Sequence, residues 1–345
     1  MSGGVDSSVA AYLLKKQGHT VFGMMLKLWS EKNSSQNRCC SNQAVEDAQT
    51  TANYLGIPFY LLDYSEKFKS TIVDPFLEEY QAGRTPNPCL SCNQKIRFDD
   101  LRKQALNFGA QAFATGHYAV VEKTGEFFHL KMAKDSAKDQ SYMLHRLDQE
   151  ALSTSLFPLG SYTKPEVRKI AQEAGLPVAK KRESQDLCFL GDDHLKGFLK
   201  RNLPKNSSSG WMKDLKGQIL GKHEGLHAFT IGQRKGLNLS LSEPHYVFSL
   251  DVEQNCVYLA TKEQTGFDSL CAVDYHQIDP SPLPLPFPCS IKLRYHAKSH
   301  TGRVVKIEEK KAWVELDQKI FPITPGQGAV FYTGDQVVGG GFIRL

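Results

Sequence analysis

The seven residues SGGVDSS (2–8) limit the fold of this chain more than any other stretch. Adjacent glycines allow positive φ and a close backbone approach, and Ser7 and Ser8 lead into the helical pattern VAAYLLKKQG. A turn that runs straight into a helix presents successive N–H groups to an anion, reinforced by the helix dipole. The serine hydroxyls add donors, and Asp6 is suited to hold Mg²⁺ on a phosphate. A plain glycine turn with a serine cap is the simpler account of short strings like this. The full pattern Ser-Gly-Gly-x-Asp-Ser, however, arises by chance on the order of once in a thousand chains of this length. No GxxxxGK followed by Ser or Thr occurs, so the loop is not of the common P-loop type. A strand ordinarily feeds such a turn, and only Met1 stands before Ser2, so the start reads as clipped.

Downstream, TVFGMMLKLW, IPFYLLDY and AFATGHYAVV read as buried strands. QAVEDAQTTANYLG, LRKQALNFG and KPEVRKIAQEAG read as helices closed by glycine, the last with proline near its start. That alternation implies an α/β domain with a parallel sheet. The texture changes at PKNSSSG (204–210), and a second break is PSPLPLPFP (280–288). Beyond the first break, short alternating segments separated by Gly, Asn and Pro replace helical periodicity. Those after the second suit a small β-barrel. The expected units are 1–203 (α/β), 204–270 (a small β-rich domain) and 271–345 (a β-barrel).

With 41% hydrophobic and 23% charged residues, the 345-residue chain has the makeup of an ordinary globular protein. It contains no apolar run of membrane-spanning length and no signal or transit pattern, so an intracellular protein without a membrane partner is expected. The net charge of +5 permits a nucleic-acid partner without arguing for one.

Eight cysteines in such a compartment are not expected to form structural disulfides. Cys256, Cys271 and Cys289 lie in strand-like contexts and read as small buried hydrophobes. Cys89 and Cys92 form a CxxC, which alone is a redox pair, half a metal site or coincidence. Cys39, Cys40 and Cys188 could complete a zinc or iron–sulfur site, which is not the favoured reading because Cys188 lacks a suitably spaced partner. Taken alone, Cys188 in the apolar string CFL reads as a core cysteine. The adjacent Lys180, Lys181 and Arg182 either favour its thiolate or form a solvated basic turn.

SGGVDSS, GRTPNPC-x-x-CN, ATGHY, KDQSY, LFPLG, CFLG, GQRKGL and TPGQGAVFY follow one another across nearly the whole chain. The first resembles the pyrophosphate loop of the PP-loop ATPases, whose Rossmann-like fold is that of the adenine nucleotide alpha hydrolases. These enzymes cut ATP between its α- and β-phosphates to adenylate a substrate oxygen. The ordered series resembles the tRNA-specific 2-thiouridylase family (MnmA/TrmU), cytoplasmic or organellar enzymes that thiolate the wobble uridine of certain tRNAs.

The resemblance implies a set of roles. Met1, Ser2, Gly3, Gly4, Val5, Asp6 and Ser7, with Leu26 and Gly116, bind ATP, accompanied by Mg²⁺. Adenylation makes the C2 oxygen of uridine a leaving group. Cys188 carries sulfur as a persulfide received from a donor such as a cysteine desulfurase relay, Cys92 is the nucleophile, and the two can form a transient disulfide. Asn87, Pro88 and Cys89 meet the target base, and many members have aspartate where Cys89 stands. His117, Lys138, Asp139, Gln140, Arg294, Tyr295 and Gln327 contact tRNA. Phosphate neutralisation, base stacking and edge reading are reasonable roles for such residues. Without the resemblance, His117 would equally cap a strand end, and Arg294 and Tyr295 would be one exposed and one packed residue of a strand. Two rivals differ in kind: an adenylating ligase or amidotransferase, which needs no paired cysteines, and a non-catalytic RNA-binding protein with a structural metal.

Overall fold

The computed structural model describes residues 1–31, 42–182, 187–190, 195–203 and 208–345. Cys39 and Cys40 lie outside the described residues. Helix α1 (Val5–Lys16) follows the glycine turn at once; it buries Val5, Val9, Leu13 and their neighbours and places Lys15 and Lys16 at its negative C-terminal end. The chain then forms β1 (Gly23–Lys27), α2 (Asn42–Leu55) and β2 (Phe59–Asp63). β1 and β2 pair in parallel, from Gly23 opposite Phe59 to Lys27 opposite Asp63. Helix α2 turns Ala44, Ala48, Thr51, Ala52 and Leu55 inward.

The expected parallel sheet is realised as two separate parallel pairs. The second joins β3 (Phe113–Ala114) to β6 (Ser155–Leu156). AFATGHYAVV, expected as one strand, ends its first strand at Ala114 and resumes only at β4 (Val120–Thr124), which pairs with β5 (Phe127–Lys131). The break lets the chain leave the sheet and bring Gly116 against α1. β2 also departs from expectation: Tyr60 and Leu61 are exposed, because β2 pairs on one edge only among the described residues. Residues 65–81 and 88–107 run as continuous helical segments, the second with π geometry from Cys92 to Leu101. Only its last part, LRKQALNFG, was expected from spacing.

In the middle unit, β7 (Gly210–Asp214), β8 (Ile219–His223), β9 (His245–Asp251) and β10 (Cys256–Thr261) form a four-stranded sheet in the order β8-β7-β10-β9. The last unit contains β11 (Phe267–Gln277), β12 (Phe287–Lys292), β13 (His300–Glu308), β14 (Lys311–Ile320), β15 (Gly328–Thr333) and β16 (Gln336–Arg344). Their order is β11-β14-β13-β12-β15-β16, and β11 pairs with β16 to close a six-stranded barrel. The β4–β5 hairpin extends this sheet through Gln336 and Lys131.

Three consecutive glycines of β16 let its backbone pack against both neighbours, β11 at Gly339 and Gly341 and β15 at Gly340. A Cβ would lie 2.4 Å from His276 O at Gly339, 2.5 Å from Ala329 O at Gly340 and 2.6 Å from Val273 O at Gly341. The barrel is not a separate ball on a stalk. Val330, Tyr332 and Val337 share one apolar core with Leu90, Phe98, Tyr142 and Leu144 of the α/β unit.

Gly340→Ala should therefore destabilise the protein by about 1–3 kcal/mol, since the new methyl faces backbone and His145 rather than a flexible side-chain end. A denaturant midpoint by circular dichroism measures the loss; an unchanged midpoint would mean the barrel relaxes freely at this seam.

Candidate active site

Gly3 adopts φ +67°, and a Cβ there would lie 2.3 Å from Ala44 O, so only glycine lets the loop press against α2. Gly4 is the N-cap of α1. Serines stitch the turn: Ser2 N donates to Ser7 Oγ at 3.1 Å, Ser7 Oγ donates to Gly4 O at 3.2 Å, and Ser8 Oγ donates to the same carbonyl at 2.9 Å. Gly116 closes the cradle from the other side, because a Cβ there would lie 2.7 Å from both Asp6 C and Ser7 N. The first N–H groups of α1 have no intrahelical acceptor and are suited to an anion, and a methyl group at Gly116 would press on Ser7 N among them.

Two lysines that the sequence did not assign to the loop hold it. Lys164 Nζ donates to both carboxylate oxygens of Asp6, at 2.7 and 2.8 Å, while Tyr118 OH donates to Asp6 Oδ1 at 2.9 Å. Lys164 is itself buried at the first turn of the helix Lys164–Glu173. Glu166 starts that helix by accepting from Thr163 N at 2.6 Å. Lys181 Nζ donates to Gly3 O at 2.8 Å and pairs with Asp47 at 2.5 Å. Lys181, expected as a neighbour of the Cys188 thiol, is thus tied to the loop. Asp6, expected to face Mg²⁺, already has its charge matched by an ammonium. Among the described residues, no three His, Cys, Asp or Glu side chains converge in a metal-holding group.

The cysteines meet around one aromatic cluster. Cys92, 8% exposed, lies with Phe68, Phe76, Ile96, Phe189 and Phe198, and half-buried Cys188 packs against the same group, as does Leu26 of β1. Phe189 is the anchor of its segment: its ring lies 5.2 Å from Phe76 and 5.5 Å from Phe198, contacts of about 0.5–1.5 kcal/mol each beyond burial. The apolar CFL string is therefore explained by Phe189 and Leu190, which are buried, and Cys188 is not a core cysteine. Asn87 caps the helical segment 88–107 by accepting from Cys89 N at 3.2 Å; Pro88 is buried and Cys89 half-buried.

Most residues expected to contact tRNA also join segments of the protein. Asp139 is buried and accepts from Ala133 N, Ser141 N and Ser141 Oγ, with Lys292 of the barrel at 3.4 Å. Gln140 Oε1 accepts from Tyr118 N at 3.0 Å. Gln327 Nε2 donates to Thr85 O at 2.8 Å, and Arg294 donates to Ile231 O at 3.1 Å and to Thr324 Oγ1. Lys138 is half-buried, its backbone N–H donating to Asp135 O at 3.0 Å. Tyr295 stands between the CxxC and this group of joining residues. Burial, with the nearby charge of Asp139, raises its phenol to about 12, while Gln140 hydrogen-bonds it and Cys89 lies close by.

His117 is buried between Phe98 and Phe157, with Nδ1 2.9 Å from Thr115 Oγ1. Burial, then the nearby Arg97 guanidinium, lowers its pKa to about 3, so the ring is neutral and offers phosphate no charge. No sequence signal marks Lys164, Tyr118 or Asp47 as loop partners, because their contacts with the loop cross long stretches of chain.

His117 and His145, both lowered to about 3 chiefly by burial, make stability fall as pH drops from about 6.5 toward 3, because only the unfolded chain then takes up their protons. Each should cost roughly 1 kcal/mol between pH 7.5 and 5.5. Denaturant titrations at both pH values should show the loss, and His117→Gln should remove about half of it. Equal stability at the two pH values would place these rings in contact with water.

Comparison with known proteins agrees along the whole chain. Residues 1–192 match the family described as tRNA methyl transferase HUP domain, 196–261 the tRNA methyl transferase PRC-barrel domain and 267–343 the aminomethyltransferase beta-barrel domain. A tRNA-specific 2-thiouridylase of Thermoanaerobacter sp. (strain X514) is 43% identical over 350 residues, covering 100% of this chain and 96% of its own length. Proteins of that name from Clostridioides difficile (strain 630) and Caldanaerobacter subterraneus subsp. tengcongensis are 43% and 45% identical, each over 100% of this chain and 96% of their own length.

Proposed function

The chain belongs to the tRNA-specific 2-thiouridylase family, and on that premise we propose how its residues divide the work. The protein is an ATP-using tRNA sulfurtransferase. It exchanges the C2 oxygen of the wobble uridine for sulfur and yields 2-thiouridine, AMP and pyrophosphate. Its architecture is a Rossmann-like unit followed by two β-rich units, divided near residues 203 and 270, with β11 entering the barrel from Phe267.

ATP supplies the adenylyl group that turns the C2 oxygen into a leaving group. The loop Met1–Ser7, with Leu26 and Gly116, holds it. The fit is supported by the cradle at Gly3 and Gly116, where any side chain would collide with backbone. Lys164 and Lys181 keep positive charge on the loop. Mg²⁺ would come with the nucleotide and offset phosphate charge, while Asp6 orients Lys164 and Tyr118.

Cys188 carries the sulfane sulfur, delivered by a persulfide donor. The sulfane sulfur bonds to C2 and the C2–O bond breaks, the oxygen leaving with AMP. Cys92 attacks Cys188 Sγ, the Sγ–sulfane bond breaks, the sulfane sulfur stays on C2, and Cys92 and Cys188 are left joined in a disulfide. The placement of Cys92 and Cys188 on one aromatic cluster, with Leu26 of the nucleotide side packed on it as well, is the observation that carries this reading. Asn87, Pro88 and Cys89 border the target base. Lys138, Arg294, Tyr295, Gln140, Asp139 and Gln327 form the tRNA-facing seam and fix the barrel to the catalytic helix. His117, neutral and buried, positions Gly116.

Cys188→Ser should abolish 2-thiouridine and AMP release while tRNA-dependent release of pyrophosphate continues for the first, adenylating step, read by mass spectrometry of nucleosides and nucleotides and by a pyrophosphate assay. AMP release without thiolation by the unaltered protein would point to the ligase reading. Lys164→Met should weaken ATP binding about tenfold by calorimetry, since Asp6 then faces the phosphates with its charge unmatched. Unchanged affinity would confine Lys164 to holding the fold.

A further inference from the structure

Of the two CxxC thiols, Cys89 has no part in the sulfur transfer proposed above. That transfer uses Cys92 and Cys188 and ends with those two joined in a disulfide, so Cys188 cannot accept another sulfur until the bridge opens. Cys89 stands three residues before Cys92 on the first turns of the helical segment 88–107, on the same side of it. The surroundings of the two thiols differ. Cys92 is buried among aromatic rings with Cys188 packed nearby, whereas Cys89 belongs to none of the apolar clusters and is half-buried beside Tyr295 at the barrel seam. Buried Cys92 thus has two half-buried thiols to exchange with, Cys188 on the sulfur-carrying segment and Cys89 at the barrel seam.

We propose that Cys89 and Cys92 are a resolving pair that frees Cys188 after each transfer. The Cys89 thiolate attacks Cys92 Sγ of the Cys92–Cys188 disulfide. The Cys92–Cys188 bond breaks, Cys188 leaves as a thiolate, and a Cys89–Cys92 disulfide forms, with no net change in oxidation. A small-molecule or protein dithiol then supplies two electrons and two protons to reduce that bridge, which leaves Cys188 free to accept sulfur meanwhile. The geometry allows the exchange. Helical neighbours three apart have Cβ atoms about 5–6 Å apart, and a disulfide needs about 3.5–4.5 Å. The difference asks for a shift of about 1–2 Å in the first turn of a helical segment. The remaining described cysteines are too remote in the fold to resolve the bridge. Cys256, Cys271 and Cys289 sit in β10, β11 and β12, and burial pushes the Cys289 thiol up to about 11.

This inference rests on the thiolation reading, and one experiment separates the two. The protein, its persulfide loaded from inorganic polysulfide and the excess reagent removed, is given tRNA, ATP and Mg²⁺ without reductant, quenched in acid, alkylated and digested with trypsin. Cys89 and Cys92 share one tryptic peptide (85–95) and Cys188 lies on another (183–196), so the two possible bridges differ plainly in mass. The expected result is 2-thiouridine together with an internal bridge in 85–95 and alkylated Cys188. In Cys89→Ser the cross-link between the two peptides should replace it, and with limiting dithiol the turnovers after the first should slow about tenfold relative to the first. Formation of 2-thiouridine with the cross-link dominant in the unaltered protein overturns the resolving pair alone. Absence of 2-thiouridine overturns the thiolation reading, and the pair with it. Cys89→Ala, which cannot place a hydroxyl beside Tyr295, should give the same bridge as Cys89→Ser; a different bridge would overturn the assignment.

Discussion

One buried hydroxyl ties the α/β unit that carries the CxxC to the barrel. Tyr142 OH donates to Gly328 O at 3.0 Å and accepts from Gly328 N at 3.1 Å, within a core that both units share. Left unmatched, either group would cost about 1–3 kcal/mol, so tyrosine and glycine require each other. Gly328 must also lack a side chain, because a Cβ would lie 2.9 Å from that hydroxyl and 3.0 Å from Leu90 Cδ1. Leu90 lies between Cys89 and Cys92, so the position of the CxxC depends directly on the barrel. Thr85 N, donating to Pro325 O at 3.0 Å, and Gln327, donating to Thr85 O, extend the same seam. Residues expected to read tRNA are therefore also the ones that align the chemistry.

Charge around the glycine loop follows a similar economy. Two ammonium groups from distant segments, Lys164 and Lys181, reach the loop. Each needs a carboxylate so that it can be partly buried: Asp6 for Lys164 and Asp47 for Lys181. Asp6 thus holds a cation in place at the start of α1. The same arrangement ties α1, α2 and the Lys164–Glu173 helix together, so loop geometry and the packing of the first unit are one problem.

The order of elements, the glycine-to-helix turn, the change of texture near residue 204 and the barrel strands were legible because they rest on local spacing and on backbone demands of Gly and Pro. The break in AFATGHYAVV was not. Its cause is the approach of Gly116 to Asp6 and Ser7, a contact across more than a hundred residues that leaves no periodicity. The π-helical stretch from Cys92 to Leu101 was hidden for the opposite reason: a polar string rich in Asn, Gln, Lys and Asp has no clear apolar stripe.

Residue types and their order along the chain determined by themselves that there is a phosphate-type loop, that three thiols stand in two separated motifs, and that a β-barrel closes the chain. These depend on chemistry carried by single residues and on short-range geometry. Tertiary structure decided the rest: that Cys92 and Cys188 share an aromatic cluster, that Lys164 answers Asp6, and that His117 is neutral. Such outcomes arise from burial and from contacts between distant segments. A sequence has no term for either until the chain has folded and water has been excluded.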